Sequence, residues 1–198
     1  MIDKIKYSEF RPEVAIGVEG ISPEMADNYI RLAANDFCKR TNILQREAEL
    51  TIWEGEQHYE FDIEDGEDVN LIQSIRMPHC LSGCVDIPRT GYKFIYPNII
   101  FLSKVPDYDN RNAIKITYSA TPSLNSCDVD AVVLTNYSEA IQLGALWRLY
   151  MIKSAPWFDS QLAIVNKKLY EDKIKEAGIR RLINYEAGPR IIRPMRVV

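Results

Sequence analysis

His79, Cys80 and Cys84 form the one tight cluster of metal-ligating residue types in the chain. Zinc takes about four nitrogen or sulfur ligands in a tetrahedron. The fourth would have to come from His58, Cys38 or Cys127, each distant in sequence, and Cys80-Leu81-Ser82-Gly83-Cys84 lacks the spacing of a CxxC knuckle. The simpler reading is a loop with two ordinary thiols. Nucleophilic catalysis needs a Ser or Cys beside a base. The chain has two histidines and no GxSxG, and neither GxGxxG nor GxxxxGK[ST] occurs to cradle a phosphate. Paired carboxylates are plentiful: Asp62/Glu64, Asp65/Glu67/Asp68, Asp107/Asp109 and Asp128/Asp130. Such pairs can carry hydrolysis in nucleases and glycosidases. Here they read first as solvated loops and a helix cap. Glu64-Asp65-Gly66-Glu67-Asp68 resembles a calcium loop only loosely, because no twelfth-position ligand is evident. The pattern therefore predicts no catalytic residue, no metal and no cofactor.

The last twenty residues carry a different chemistry. Ile179–Val198 holds Arg180, Arg181, Arg190, Arg193 and Arg196 against one acid, Glu186, a net of +4 that leaves −8 for the remainder of a chain whose total is −4. Gly188-Pro189 and Pro194 break any continuous helix there, yet Ile191, Ile192, Met195, Val197 and Val198 are apolar. Disordered tails are usually poorer in such residues. Aromatic stacking partners end at Tyr185, so docking on protein is favoured over nucleic acid.

These segments need a scaffold, and the patterning supplies one. A length of 198 residues with 46% apolar and 26% charged residues fits a single globular domain, or one with an insertion. The acidic balance provides no general attraction for nucleic acid. A mixed, polar start and the lack of any apolar stretch near about 20 residues predict a soluble chain without signal peptide or membrane span. Four cysteines in such a chain read as free thiols. Residues 1–20 show no clear period, and Tyr7 and Phe10 are candidates to anchor them.

Ser22-Pro23-Glu24 reads as a capped helix start, and Ala26, Ile30, Ala33 and Phe37 recur at helical spacing up to Thr41-Asn42. After Ala48 the period changes to two. Leu50-Thr51-Ile52-Trp53, Tyr59/Phe61/Ile63, Val69–Ile75, Tyr92–Tyr96, Ile99–Leu102 and Ile114/Ile116/Tyr118 predict five or six strands, with a tight hairpin at Pro97-Asn98. Helical spacing returns after Pro122, capped by Asp128 or Asp130, through Leu134, Ile141, Gly144, Ala145 and Leu149. Gly144 and Ala145 present little side chain, so another helix can come close. Pro156-Trp157 predicts a sharp corner, followed by a helix from about 157 to 177 that stops at Gly178. The short connection makes the two helices antiparallel neighbours.

The expectation is an α+β chain: a helical bundle (helices near 22–41, 130–154 and 157–177), a β-rich insertion at about 48–120 and an extended C-terminal arm. In domain terms, residues 1–47 plus 121–178 form the bundle, 48–120 the insertion and 179–198 the arm.

This order of elements resembles the head-to-tail adaptor proteins of short-tailed bacteriophages, the tail tubular protein A group. The resemblance rests on three stretches. An early helix closes on Phe37-Cys38-Lys39-Arg40-Thr41 and strands follow at once. The strand exit Thr117-Tyr118-Ser119-Ala120-Thr121-Pro122 leads to Asp128 and Asp130 before a helix. Tyr137-Ser138-Glu139-Ala140-Ile141-Gln142-Leu143-Gly144-Ala145-Leu146 precedes the Pro156-Trp157 corner and a second long helix. Together they span about residues 20–180. The resemblance implies a structural virion protein of the particle neck, without enzyme activity, assembled in the host cytoplasm. It implies a dodecameric ring between the portal protein and a downstream tail or nozzle protein, with a channel for DNA that is not bound sequence-specifically. Arg190, Ile191, Ile192, Arg193, Pro194, Met195, Arg196, Val197 and Val198 would then be the portal-binding arm, and Gly144, Ala145, Pro156 and Trp157 the packing contacts of a rigid ring subunit. The alternatives are another neck, head-completion or tail-completion protein, or a metal-dependent hydrolase built on the acidic loops.

Overall fold

The computed structural model describes residues 3–79 and 83–185. It is a mixed α/β structure with antiparallel sheets. The N-terminal segment, read from sequence as lacking a period, forms strand β1 (Lys4–Lys6), a one-turn 3-10 helix (Tyr7–Phe10) and the short helix α1 (Arg11–Ala15). Tyr7 and Phe10 are both buried in the core.

Helix α2 (Pro23–Thr41) begins and ends where its capping residues direct. Ser22 Oγ accepts from the Met25 N–H at 3.3 Å, and Pro23 occupies the first turn. At the other end Asn42 adopts φ 53°, and its N–H donates to the Cys38 carbonyl at 2.8 Å. Ala26, Ile30, Ala33, Ala34, Phe37 and Cys38 form its buried face.

Seven strands follow among the described residues. They are β2 (Leu44–Ile52), β3 (His58–Glu60), β4 (Glu67–His79), β5 (Gly83–Asp86), β6 (Tyr92–Ile95), β7 (Ile99–Leu102) and β8 (Asn110–Pro122). The strand region starts at Leu44 rather than near 48, because Asn42 ends α2 so abruptly that pairing begins two residues later. One sheet has the order β2-β8-β4-β5 and the other β3-β7-β6. Register in the larger sheet places Ala48 opposite Ile116 and Ile75 opposite Ile116 on the other side. The sequence-predicted hairpin is β6–β7, turning through Tyr96-Pro97-Asn98 with a cis Tyr96–Pro97 peptide. A last strand, β9 (Asp128–Asp130), pairs with β1.

The expected helix at 130–154 is two helices, α3 (Ala131–Asn136) and α4 (Ser138–Tyr150). Tyr137 breaks it with φ −128° and ψ 24°, and its ring packs 5.1 Å from that of Phe37. The chain leaves α4 at Tyr150, not at 154, through short turns such as Ala155 N–H to Ile152 O at 3.0 Å. Helix α5 (Ser160–Tyr185) starts later than 157 because Asp159 is its cap, accepting from the N–H groups of Gln161 and Leu162 at 2.8 and 2.9 Å. It also runs past Gly178. A Cβ at Gly178 would meet no heavy atom within 4 Å beyond its chain neighbours and its own helix backbone, and the helix continues through the glycine to Tyr185. Residues 179–185, expected in the arm, are helical.

Candidate assembly site

Gly144 is a point of close approach between helices. A Cβ at this position would lie 2.9 Å from Tyr170 Cε2 and 3.0 Å from Ala33 Cβ, so α4 meets α2 and α5 at one point. Ala145, next to it, is buried as well. Contacts between α4 and α5 progress in opposite directions: Glu139 with Lys173, Gly144 with Tyr170, and Trp147 with Lys167. The two helices are therefore antiparallel.

A polar network closes over this point. Tyr170 OH donates to Asp36 Oδ2 at 2.9 Å, and Arg148 Nη2 donates to the same oxygen at 3.0 Å. Arg148 also donates to the Gly144 carbonyl at 2.6 Å and stacks on Trp147 at 4.5 Å. Arg40 forms a two-pronged pair with Glu171, one prong being Nη1 to Oε1 at 2.8 Å. Arg40 thereby holds the Glu171 carboxyl below the usual carboxylate range. Burial pushes the Tyr170 phenol up, and Asp36 adds to the effect. At the corner, Pro156 is exposed, while Trp157 packs against the core. Asp159 N–H donates to the Tyr150 carbonyl at 3.1 Å and closes the turn.

A second charged cluster lies where β2, β4 and β9 meet. Arg46 donates to Glu67 at 2.9 and 2.5 Å and to Asp130 at 2.7 Å. The side chains of Arg46, Glu67 and Asp130 are only 14%, 5% and 7% exposed. Burial pulls Arg46 toward its neutral form, but the two carboxylates outweigh it and the net shift is upward. Asp130 has a second task, accepting from the Val132 N–H at 2.9 Å as the cap of α3. Beside this cluster, burial pushes up the Cys38 thiol and the Tyr7 phenol, and the Tyr118 phenol up to about 12. A thiol so shifted is a poor nucleophile. Glu67 is thus not a solvated loop residue but one of two buried carboxylates that share Arg46. No short-range pattern marks it, since its partner is 21 residues away.

Other acidic pairs behave as read. Asp62, Glu64 and Asp65 are exposed, and Asp109 accepts from the Glu54 N–H at 2.7 Å. With Glu47, Glu49 and Glu60, the first three line an open groove of about 470 Å³ whose floor includes Leu50, Ile63 and Tyr118. His79 faces Gly83 and Pro78 faces Cys84 across the β4–β5 ladder, while Cys80 lies outside the described residues. No group of three or more His, Cys, Asp or Glu side chains among the described residues is placed to hold a metal ion. No described helix is long and apolar enough to cross a membrane.

Helix α5 has two unlike faces. Ala163, Tyr170, Ile174 and Ala177 are buried against the other helices. Leu162, Ile164, Val165, Leu169, Ile179 and Leu182 are between 39% and 63% exposed. The arm residues Arg190–Val198 lie outside the described residues.

Neither a protein-family model nor a curated protein matches the chain. Two solved structures align with 83% of it and with 93% of their own chains, each at 16% identity. One is the neck of an empty GTA particle, computed with C6 symmetry, at a TM-score of 0.33. The other is the neck of a native GTA particle, computed with C12 symmetry, at a TM-score of 0.31. Likeness at this level decides nothing about function.

Proposed function

We propose that the chain is a structural subunit of a phage-type neck, a head-to-tail adaptor that joins its copies into a ring between a portal protein and a tail or nozzle protein. The observation that supports this most directly is the two-faced helix α5. One side is locked into a core of α2, α4 and α5, and the other leaves large apolar side chains in water. Large apolar side chains left in water along one helix suit a surface that another protein covers. The charged clusters support the same reading: Arg46 pairs with both Glu67 and Asp130 in the interior, and Asp36 is occupied by Arg148 and Tyr170. These groups tie remote segments together.

In this reading Arg190–Val198 is the portal-binding arm and the ring is dodecameric, with a central channel. An acidic balance outside the arm suits such a channel, since a basic wall would hold phosphates through counterion release. The subunit belongs to the virion and is assembled in the host cytoplasm.

Electron microscopy of the protein mixed with the portal encoded beside it tests the reading. Rings capping the portal are the expected outcome, and a version lacking residues 186–198 should keep its fold and lose the portal. A protein that ignores the portal at high concentration ends the adaptor reading.

A further inference from the structure

We propose that the C-terminal arm, Arg190–Val198, docks in the acidic groove beside β2 of its own chain until a partner draws it away. The docking stands on this chain alone; only the exchange for a portal rests on the adaptor reading. Five consecutive residues of β2, 46 to 50, line the groove. Successive side chains of a strand point to opposite faces, so the groove runs along the strand's edge. That edge is open: β2 pairs with β8 on its other side and with no further strand among the described residues.

Charge identifies the occupant. Glu47, Glu49, Glu60, Asp62, Glu64 and Asp65 line the groove, and all six are exposed. Arg46 does not offset them, since Glu67 and Asp130 hold it. Lys115 pairs with Glu49 at 2.9 Å, and Lys4 reaches the Asp65 carbonyl. Six carboxylates against these two lysines leave a net charge of −4. Residues 187–198 hold Arg190, Arg193 and Arg196 and no acid. Helix α5 offers no such surplus, because Lys173, Lys175 and Arg180 pair with Glu139, Asp172 and Glu176. Apolar character matches too. Leu50 and Ile63 are half-buried in the groove, and Ile191, Ile192 and Met195 stand between the arginines of the arm.

The groove is near the end of α5. Arg180 lies over the Tyr137 ring at 5.9 Å, and Tyr137 directly follows α3. That helix is about 9 Å long. Its cap, Asp130, accepts from Arg46 at 2.7 Å, and Arg46 lines the groove. Residues 186–198 can span up to about 43 Å. A tether this short gives a local concentration on the order of mM, so a chain's own arm outcompetes that of a second copy in dilute solution. The docked arm would also shield the open edge of β2 from pairing with other chains.

Trypsin tests the docking through the Arg190–Ile191 bond of the full chain, whose cleavage follows the undocked fraction. A peptide of residues 186–198 gives the unprotected rate at each salt concentration. At low salt the full chain should be cut at least about tenfold more slowly than the peptide, and the two rates should converge toward about 1 M salt. Glu47→Gln, Asp62→Asn and Glu64→Gln together should restore fast cleavage. Glu19→Gln, Glu24→Gln and Glu54→Gln together, an equal loss of charge at other exposed positions, should leave the protection in place. Circular dichroism and melting temperature check that both variants fold. Equal rates in chain and peptide overturn the docking, as does equal deprotection by the two variants. Protection that fades on dilution overturns it in favour of the arm of a second copy. With the portal, the groove variant should bind at lower concentration than the wild type. Portal-capping rings from a chain whose arm is unprotected would overturn the docking and leave the adaptor reading standing. A protected arm in a chain that ignores the portal would keep the docking and remove the adaptor reading.

Discussion

The Arg46–Glu67–Asp130 cluster and the Arg40–Glu171 pair use the same chemistry in different surroundings. In the first, all three side chains are under 15% exposed; in the second, the side chains are 38% and 34% exposed. Both join segments far apart in the chain. The buried cluster cannot lose a member without stranding charge away from water, and desolvation of an unpaired ion is expensive. Water takes over from the lost partner in the half-exposed pair, so that pair contributes little on balance. Burial, rather than the number of ion pairs, decides which region a mutation can unfold.

The sharpest way to break this contrast is Arg46→Met. It leaves Glu67 and Asp130 facing each other in the interior, and denaturant unfolding should show a loss of about 3–5 kcal/mol. Adding Glu67→Met should recover part of it, since one of the two stranded carboxylates and their mutual repulsion are gone. A loss near that of an exposed pair would mean that water reaches the cluster.

Next in size is Gly144→Leu in the helix layer. The side chain has to displace the Tyr170 ring and Ala33, at a cost on the order of 1–3 kcal/mol. Calorimetry should show a lower melting temperature, and an unchanged one would place Gly144 away from the helix contact.

Arg40→Met should cost no more than about 1 kcal/mol at neutral pH. Its signature is the pH dependence. Arg40 depresses the folded-state carboxyl of Glu171, so the stabilisation is present above the ordinary Glu value of about 4.3 and is lost as the pH falls through the depressed value. The gap between wild type and variant should therefore close between about pH 5 and pH 3. A gap that widens toward acid would assign the effect to another group.

The smallest effect concerns reactivity and leaves stability alone. Cys38 is fully buried with a thiol shifted upward, whereas Cys127 is exposed. Peptide mapping after brief alkylation of the native protein should find Cys127 modified and Cys38 untouched until the chain is unfolded. Early labelling of Cys38 would show that the interior around Arg46 opens readily.

Local chemistry made much of the fold legible. Ser22, Pro23 and Asn42 set the ends of α2, because a cap acts on the backbone within a few residues of itself. The β6–β7 hairpin followed from two apolar runs around Pro97-Asn98 for the same reason. The break at Tyr137 was not legible. Nothing near it in sequence forbids a helix, and its ring packs against Phe37 a hundred residues earlier. Gly178 misled in the opposite direction. Its low helix propensity is a weak local bias, while Arg180 reaching Glu176 at 3.4 Å and Ala177 buried against the core keep the chain helical.

By itself, the sequence determined the coarse succession of an early helix, a strand-rich stretch and further helical segments, the small residue at Gly144 and the basic, proline-interrupted end at Arg190–Val198. These depend on period, caps and composition, which act over one or two turns. Only the tertiary structure decided that Glu67 and Asp130 share Arg46, that Asp36 serves Arg148 and Tyr170 together, and which side of α5 remains in water. Ion pairing and burial join residues by distance in space, and the chain brings residues 46, 67 and 130 together only once the sheets have formed.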